Sequence, residues 1–459
     1  MKVRKFLAIL PLLASCLCAA ESAVDQVMLP EKLLPQLDGI LKSAAQQSPR
    51  MLSRALDLEL AENTRIMARA NLLPSLSASY SYNKSDDKSQ YIYGPGNPNN
   101  SDTSYPVTKT PYSVYFSQPL FFWGERRNND RIGKIQETIA KGQYREAYRL
   151  LAQEIRTSYL HLIVQKLTVT RTRFYRDFSN TQLKEQEDRF AKNVISAAEI
   201  ATARLTAEQA QISLERTEYD YITAKATFAR LTGQNLLTDE AIPDSIPVIT
   251  YTPEPYDQLL ADYLAQKDPP TNEAFLFRHQ IEIESLNYAN AKTRLRPKVS
   301  LVMGLTQDEQ NNFYGTGARY AVTSRYAGLS ANWTIFDGFT SQAAARMSLA
   351  SKRKLQNDYT QVKERLAQEA QTAVKQINFS ARSMAIYDRF VISGEGYLKT
   401  MKEDFARGVK SEADVSQTQL SLYDSQLNAY NARTDYLVKT GDFLGMLVED
   451  PALANLADK

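Results

Sequence analysis

Histidine is nearly absent from these 459 residues, with two, and cysteine also occurs only twice. Both cysteines, Cys16 and Cys18, sit at the extreme N-terminus, so no disulfide framework can hold the body of the chain. His161 and His279 fall in helical stretches with no ligand pattern beside them, and CxxC, HExxH, GxSxG and GxxxxGK[ST] are all missing. Zinc, redox, nucleophile-elbow and P-loop chemistry are thereby disfavoured. No enzyme, cofactor or energy source is encoded. Glycine (17) and proline (18) are scarce, and so few turn signals imply unusually long elements. The net charge of +3 gives no reason to expect a nucleic-acid partner. Mean hydropathy is −0.41, and past the N-terminus no apolar run approaches the roughly 18 residues that a membrane helix needs.

What is present begins with an export signal. "MKVRK" is a basic n-region, "FLAILPLLAS" an apolar h-region too short to span, and "CLCAA" ends in small residues suited to cleavage. Two processing readings stand. Residues 1–20 are removed, leaving Glu21, or Leu13-Ala14-Ser15-Cys16 acts as a lipobox and Cys16 becomes a lipidated first residue.

The remainder repeats itself. "SQPLFFWG" (117–124) is echoed by "ANWTIFDG" (331–338), with Leu120 and Ile335, and Phe121 and Phe336, 215 positions apart. The same offset aligns Leu183/Leu398, Phe190/Phe405, Val194/Val409, Ser196/Ser411, Leu205/Leu420, Tyr221/Tyr436 and Phe228/Phe443. Upstream, "LLPSLSASYSYN" (72–83) matches "LRPKVSLVMGLT" (295–306) at an offset of 223. The chain reads as a tandem duplication, 21–250 and 251–459, joined by the Pro-rich "IPDSIPVITYTPEPY".

Each copy has one order: a helical segment (33–71, 255–294), a strand (74–83, 297–306), a polar loop, a second strand (112–122, 327–337), a long helix, a tip (190–200, 405–415) and a returning helix. The long helices, 126–189 and 341–403, contain no proline and would each reach about 95 Å at 1.5 Å per residue. Their apolar residues form a narrow coiled-coil-like seam: Leu355, Tyr359, Val362, Leu366, Ala370, Ala373 and Ile377 in one, and Leu214, Thr217, Tyr221, Ala224, Phe228 and Leu231 in the first returning helix. "GPGNPNN" (94–100) lies between strands with no helix after it, so it reads as an exposed loop rather than a phosphate cradle.

The strands alternate apolar with small or polar residues: Leu76, Ala78, Tyr80 and Tyr82 against serines, and Leu329, Ala331, Trp333 and Ile335 against Gly328, Ser330, Asn332 and Thr334. Their lengths are near the roughly 9–11 residues of a transmembrane strand. In a bilayer a sheet must close, and closure needs about 8 strands. Four strands per chain cannot close alone, so the chain must oligomerise.

In this order of segments, in "LLPSLSASYSY", "IFDG" and the tip "DFARGVKSEADV" (404–415), the sequence resembles the TolC-type outer-membrane efflux and secretion channels over nearly the whole mature chain. The resemblance implies a homotrimer in the Gram-negative outer membrane. Four strands per chain would build one 12-stranded barrel, continuous with an α-helical barrel in the periplasm. It also implies partners: a periplasmic adaptor, or membrane fusion protein, an inner-membrane transporter, and outer-membrane lipid. The fold class expected is mainly α with a membrane β-barrel.

The resemblance also points to the tips. Gly408 falls at the family's tip glycine, and Asn193 at its counterpart in copy one. A family ring of paired carboxylates is matched by Asp414, but Gln417 replaces the second acid. A polar latch would join Lys410 to Glu199, while Phe405 stands where the family has a tyrosine. A periplasm-spanning structural scaffold or adhesin is the alternative; Glu199 and Lys410 are then a solvated face.

Overall fold

In a computed structural model the described residues are 23–456, apart from 92–94, 96–97, 99–100 and 314–316. The signal segment and Cys16 lie outside them, as does most of the 94–100 loop. Short helices α1 (Ala23–Gln26), α2 (Pro30–Leu33), α3 (Pro35–Gln47) and α4 (Pro49–Ala70) lead into β1 (Ser75–Tyr80), β2 (Asn83–Tyr91), β3 (Ser101–Lys109) and β4 (Tyr112–Phe121). Then come α5 (Glu125–Ala191) and α6 (Ala197–Thr232). The second half follows as α7 (Glu254–Ala265), α8 (Asn272–Thr293), β5 (Lys298–Phe313), β6 (Ala318–Asn332), α9 (Thr340–Ala406) and α10 (Glu412–Leu447). The protein is mostly helical, with long helix pairs and a small antiparallel sheet.

Helices α5 and α9 are 67 residues each, and α6 and α10 are 36 each. The expected leading helices are each broken. Pro49 opens α4, since a proline lacks the N–H that continuing α3 would require. Pro269 and Pro270 separate α7 from α8, which restarts at Thr271, whose side chain caps Ala274 N–H.

Two compact units interleave the halves. Among the described residues, one takes 23–48, Leu151–Pro269 and 366–456; the other takes Pro49–Leu150 and Pro270–Arg365. In the first, Leu37, Leu41, Ile155, Tyr159, Phe228 and Tyr436 are buried in the core. Of the expected α6 seam, Leu214, Tyr221 and Phe228 are buried at heptad spacing, while Thr217, Ala224 and Leu231 are half-buried. Arg156 is buried at the centre, bonded to Asp450 at 2.6 and 2.8 Å and to Glu31 at 2.5 and 3.0 Å. Burial alone would lower its pKa; the hydrogen bonds and charges of Asp450 and Glu31 outweigh that and raise it, so the guanidinium stays charged.

The second unit holds the sheet. Strands run β1-β4-β5-β6, all antiparallel, with β2 and β3 prolonging the first hairpin and β3 meeting β5 at Thr108↔Asn311 and Lys109↔Gln310. Six segments thus lie along four strand paths: β2 and β3 fall in the stretch expected to be a polar loop between 74–83 and 112–122, and β5 runs on to Phe313, past the expected end at 306. Between the segments, Pro111 has no N–H to give the ladder, and its carbonyl accepts from Ser81 N–H at 3.1 Å. The last strand also differs from 327–337: it starts at Ala318 and ends at Asn332. Asn332 pairs with Lys298, the first residue of β5, and Pro297 before it offers no donor. Trp333 to Phe336 therefore leave the ladder.

Candidate functional site

The two helix-hairpin tips are one structure built twice. At the first, Val194 N–H donates to Arg189 O and Asn193 N–H to Phe190 O, both at 2.9 Å; at the second, Val409 N–H donates to Asp404 O and Gly408 N–H to Phe405 O, again at 2.9 Å. This is the left-handed closure of a helix C-terminus. Its key residues have φ of 55° at Asn193 and 76° at Gly408. Glycine meets that region without a Cβ penalty, and asparagine is the next most tolerant residue.

Serine then restarts each helix. Ser196 Oγ accepts from Glu199 N–H at 3.3 Å, while Glu199 Oε2 accepts from Ser196 N–H at 2.7 Å. Ser411 and Asp414 repeat this at 3.2 and 3.0 Å. These are two capping boxes. Glu199 and Asp414, assigned from the resemblance to a latch and a ring, stand 215 positions apart in matching places of the two tips. Each holds its own helix start with one carboxylate oxygen, leaving the other outward. The bond from the serine N–H, then that from its hydroxyl, holds both carboxyls below their ordinary range.

Glu199, Lys410, Asp414 and Gln417 are all exposed, and Phe405 is 46% exposed. Within one chain no ion pair joins Lys410 to Glu199. Its positive charge instead helps lower the Asp414 carboxyl. The serine caps had a legible signal, S-x-x-E at 196–199 and S-x-x-D at 411–414, which the latch reading passed over.

The sheet carries the other functional feature. In register, Leu76, Phe116, Met303 and Ala327 share one face, as do Ala78, Val114 and Leu305. The opposite face has Ser77, Ser79, Ser113, Ser117, Ser300 and Ser330. Every residue of β1 and β6 is exposed, Leu76 at 72% and Leu329 at 70%. Among the described residues, no helix is long and apolar enough to cross a membrane. The sheet thus alternates a largely apolar face, interrupted by Gln118 beside Leu301 and Arg325 beside Leu305, with a serine-rich one.

The family model for outer membrane efflux proteins matches residues 40–234 and 277–440. The chain belongs to the outer membrane efflux protein family. The outer membrane protein TolC of Escherichia coli (strain K12) is 22% identical over 448 residues, 90% of this chain and 83% of TolC. The alkaline protease secretion protein AprF of Pseudomonas aeruginosa is 22% identical over 404 residues, 86% of this chain and 80% of AprF. Among solved structures, VceC of Vibrio cholerae aligns with a TM-score of 0.63 at 16% identity, over 93% of this chain and 98% of VceC. As a family member the chain is an outer-membrane efflux or secretion channel, a transporter and not an enzyme.

Proposed function

We propose that this channel is a homotrimeric exit duct, built from two tandem repeats (21–250 and 251–459) and gated at its helix tips. The observation that carries the reading is the pair of sheet ends. Among the described residues β1 pairs only with β4, and β6 only with β5, so there each leaves an edge of backbone donors and acceptors unpaired within one chain. Such edges are costly in hydrocarbon, and pairing β6 of one copy with β1 of the next removes them. Three copies give 12 strand paths. A second support lies on α6, where Leu205, Ile212 and Tyr219 recur every seven residues and stay 66%, 65% and 68% exposed, a seam for a neighbouring copy.

The duct is passive, so partners power it: a periplasmic adaptor and an inner-membrane transporter of an efflux pump or a type I secretion machine. Family membership and the relative named for alkaline protease secretion support this assignment. At the tips, three Asp414 side chains form the entrance ring, with Gln417 one helical turn on, so the ring carries one carboxylate per copy. The outward oxygen of Glu199 receives Lys410 from the facing hairpin when the entrance is closed. Light scattering of the detergent-solubilised protein tests the assembly. A trimer is expected, and a folded monomer would refute it.

A further inference from the structure

The chain has two tryptophans, Trp123 and Trp333, and both grip the same turn. Trp123 follows β4 and donates its indole N–H to Pro297 O at 2.8 Å; Trp333 follows β6 and donates to Leu295 O at 3.0 Å. Between the two carbonyls stands Arg296, its guanidinium 4.7 Å from the centre of the Trp123 ring. Arg296 and its neighbour Arg294 are exposed, and among the described residues neither enters an ion pair. The nearby Lys298 is already paired with Glu125 at 2.6 Å.

The turn itself needs no arginine. In the first repeat the equivalent positions are Asn71 and Leu73, and Leu73 N–H closes that turn on Ala70 O at 3.0 Å, just as Arg296 N–H closes on Thr293 O at 3.0 Å. No tryptophan donates to the first-repeat turn among the described residues. The two cations and their aromatic clamp are therefore additions to a turn that folds without them.

Their setting indicates what they meet. Strand alternation continues the apolar face from Met303, Leu301 and Val299 on β5, flanked by Leu329 and Ala331 on β6 and by Phe121 on β4, toward the tryptophans. Trp123 and Trp333 remain 37% and 59% exposed. Indoles with one apolar side and a bonded N–H suit the boundary between hydrocarbon and headgroups. A guanidinium stacked on an indole keeps its edge free, and that planar fork matches a phosphate.

We propose that Arg296, assisted by Arg294, is a binding site for the phosphodiester headgroup of an anionic glycerophospholipid, phosphatidylglycerol, in the leaflet next to the helices, with the acyl chains on the Leu301, Met303 and Leu329 face. It rests on the reading that this sheet sits in the outer membrane.

The two tryptophans make the test local. The full-length protein is reconstituted in phosphatidylcholine vesicles, and tryptophan fluorescence is quenched by brominated-chain phosphatidylglycerol or, separately, by phosphatidylcholine with the same chains. Phosphatidylglycerol should associate about fivefold more strongly per contributing arginine at low salt. Arg296→Leu, the residue of the first repeat, should remove about fivefold of that preference while leaving quenching by phosphatidylcholine unchanged. Equal quenching by the two lipids, or an unaltered preference in Arg296→Leu, overturns the proposal. Displacement by inorganic phosphate at matched ionic strength assigns the site to a free anion and also overturns it. Quenching by neither lipid overturns the membrane placement of the sheet itself.

Discussion

Asp388 and Arg433 form an ion pair of 2.7 Å between α9 and α10, at the positions where the first half places Arg173 and Glu218, also 2.7 Å apart. The offset of 215 maps each residue onto its counterpart with the charges exchanged. One geometric link between a long helix and its returning helix thus recurs in the second half with its polarity reversed. The copies also differ in burial: Arg433 is 7% and Asp388 14% exposed, against 55% and 39% for Arg173 and Glu218.

That difference sets the expected cost of breaking each pair. Arg433→Ala strands Asp388 and the Ile246 carbonyl, both of which Arg433 bonds, and should destabilise by about 3–5 kcal/mol. Arg173→Ala should cost only about 0–1 kcal/mol. Denaturant unfolding of the two variants under one condition measures both, and equal losses would contradict the account.

The tip caps should respond to acid. Because Glu199 and Asp414 have depressed folded pKa values, their capping contribution is fully present above the ordinary carboxylate value of about 4 and is lost as pH falls through the lower folded value. Hydrogen exchange should show the first turns of α6 and α10 opening below about pH 4, while the stripe from Leu214 to Phe228 stays protected. Uniform loss along both helices would place the acid sensitivity elsewhere.

The turn residues make a paired prediction. At Gly408 a Cβ would meet nothing within 4 Å, so Gly408→Ala carries only the backbone cost of positive φ, about 1 kcal/mol. Asn193→Gly should be neutral or slightly stabilising to its hairpin. The exchange rates of the Val409 and Val194 amides, which close the two turns, report each effect.

Opposite faces of one strand should differ sharply. Leu329→Arg puts a charge on the apolar face and should cost up to about 2–4 kcal/mol. Ser330→Arg, one residue on and facing the other way, should be tolerated far better. Stability of the reconstituted protein to denaturant compares them; equal penalties would mean that the sheet does not have a lipid side and a water side.

Much of this fold was legible because its signals are long and redundant. A proline-free stretch of more than sixty residues with a sustained seam admits little except a long helix, and α5 and α9 extend the expected bounds by only one to three residues at each end. Strand bounds were harder, since they depend on what the neighbouring strand can donate: β6 stops where Pro297 ends its partner, a fact written on another segment. At the tips the turn residues Asn193 and Gly408 were legible, and both have positive φ, but the carboxylates were read through charge alone. Family resemblance pointed to Glu199, Lys410 and Asp414 as a gate, yet the local chemistry of Ser196 and Ser411 claims two of those carboxylates as helix caps first. The Arg296 turn escaped notice because its two tryptophans lie 210 positions apart and meet it only in three dimensions.

Conductance of the purified protein in a planar bilayer tests the central claim most directly. Discrete current steps are predicted, with a low resting level that rises in Lys410→Glu at low salt, because like charges then meet beside Asp414 and the proposed link to Glu199 is lost. Folded, inserted protein that passes no current in either form would contradict the claim that this chain is a gated outer-membrane duct.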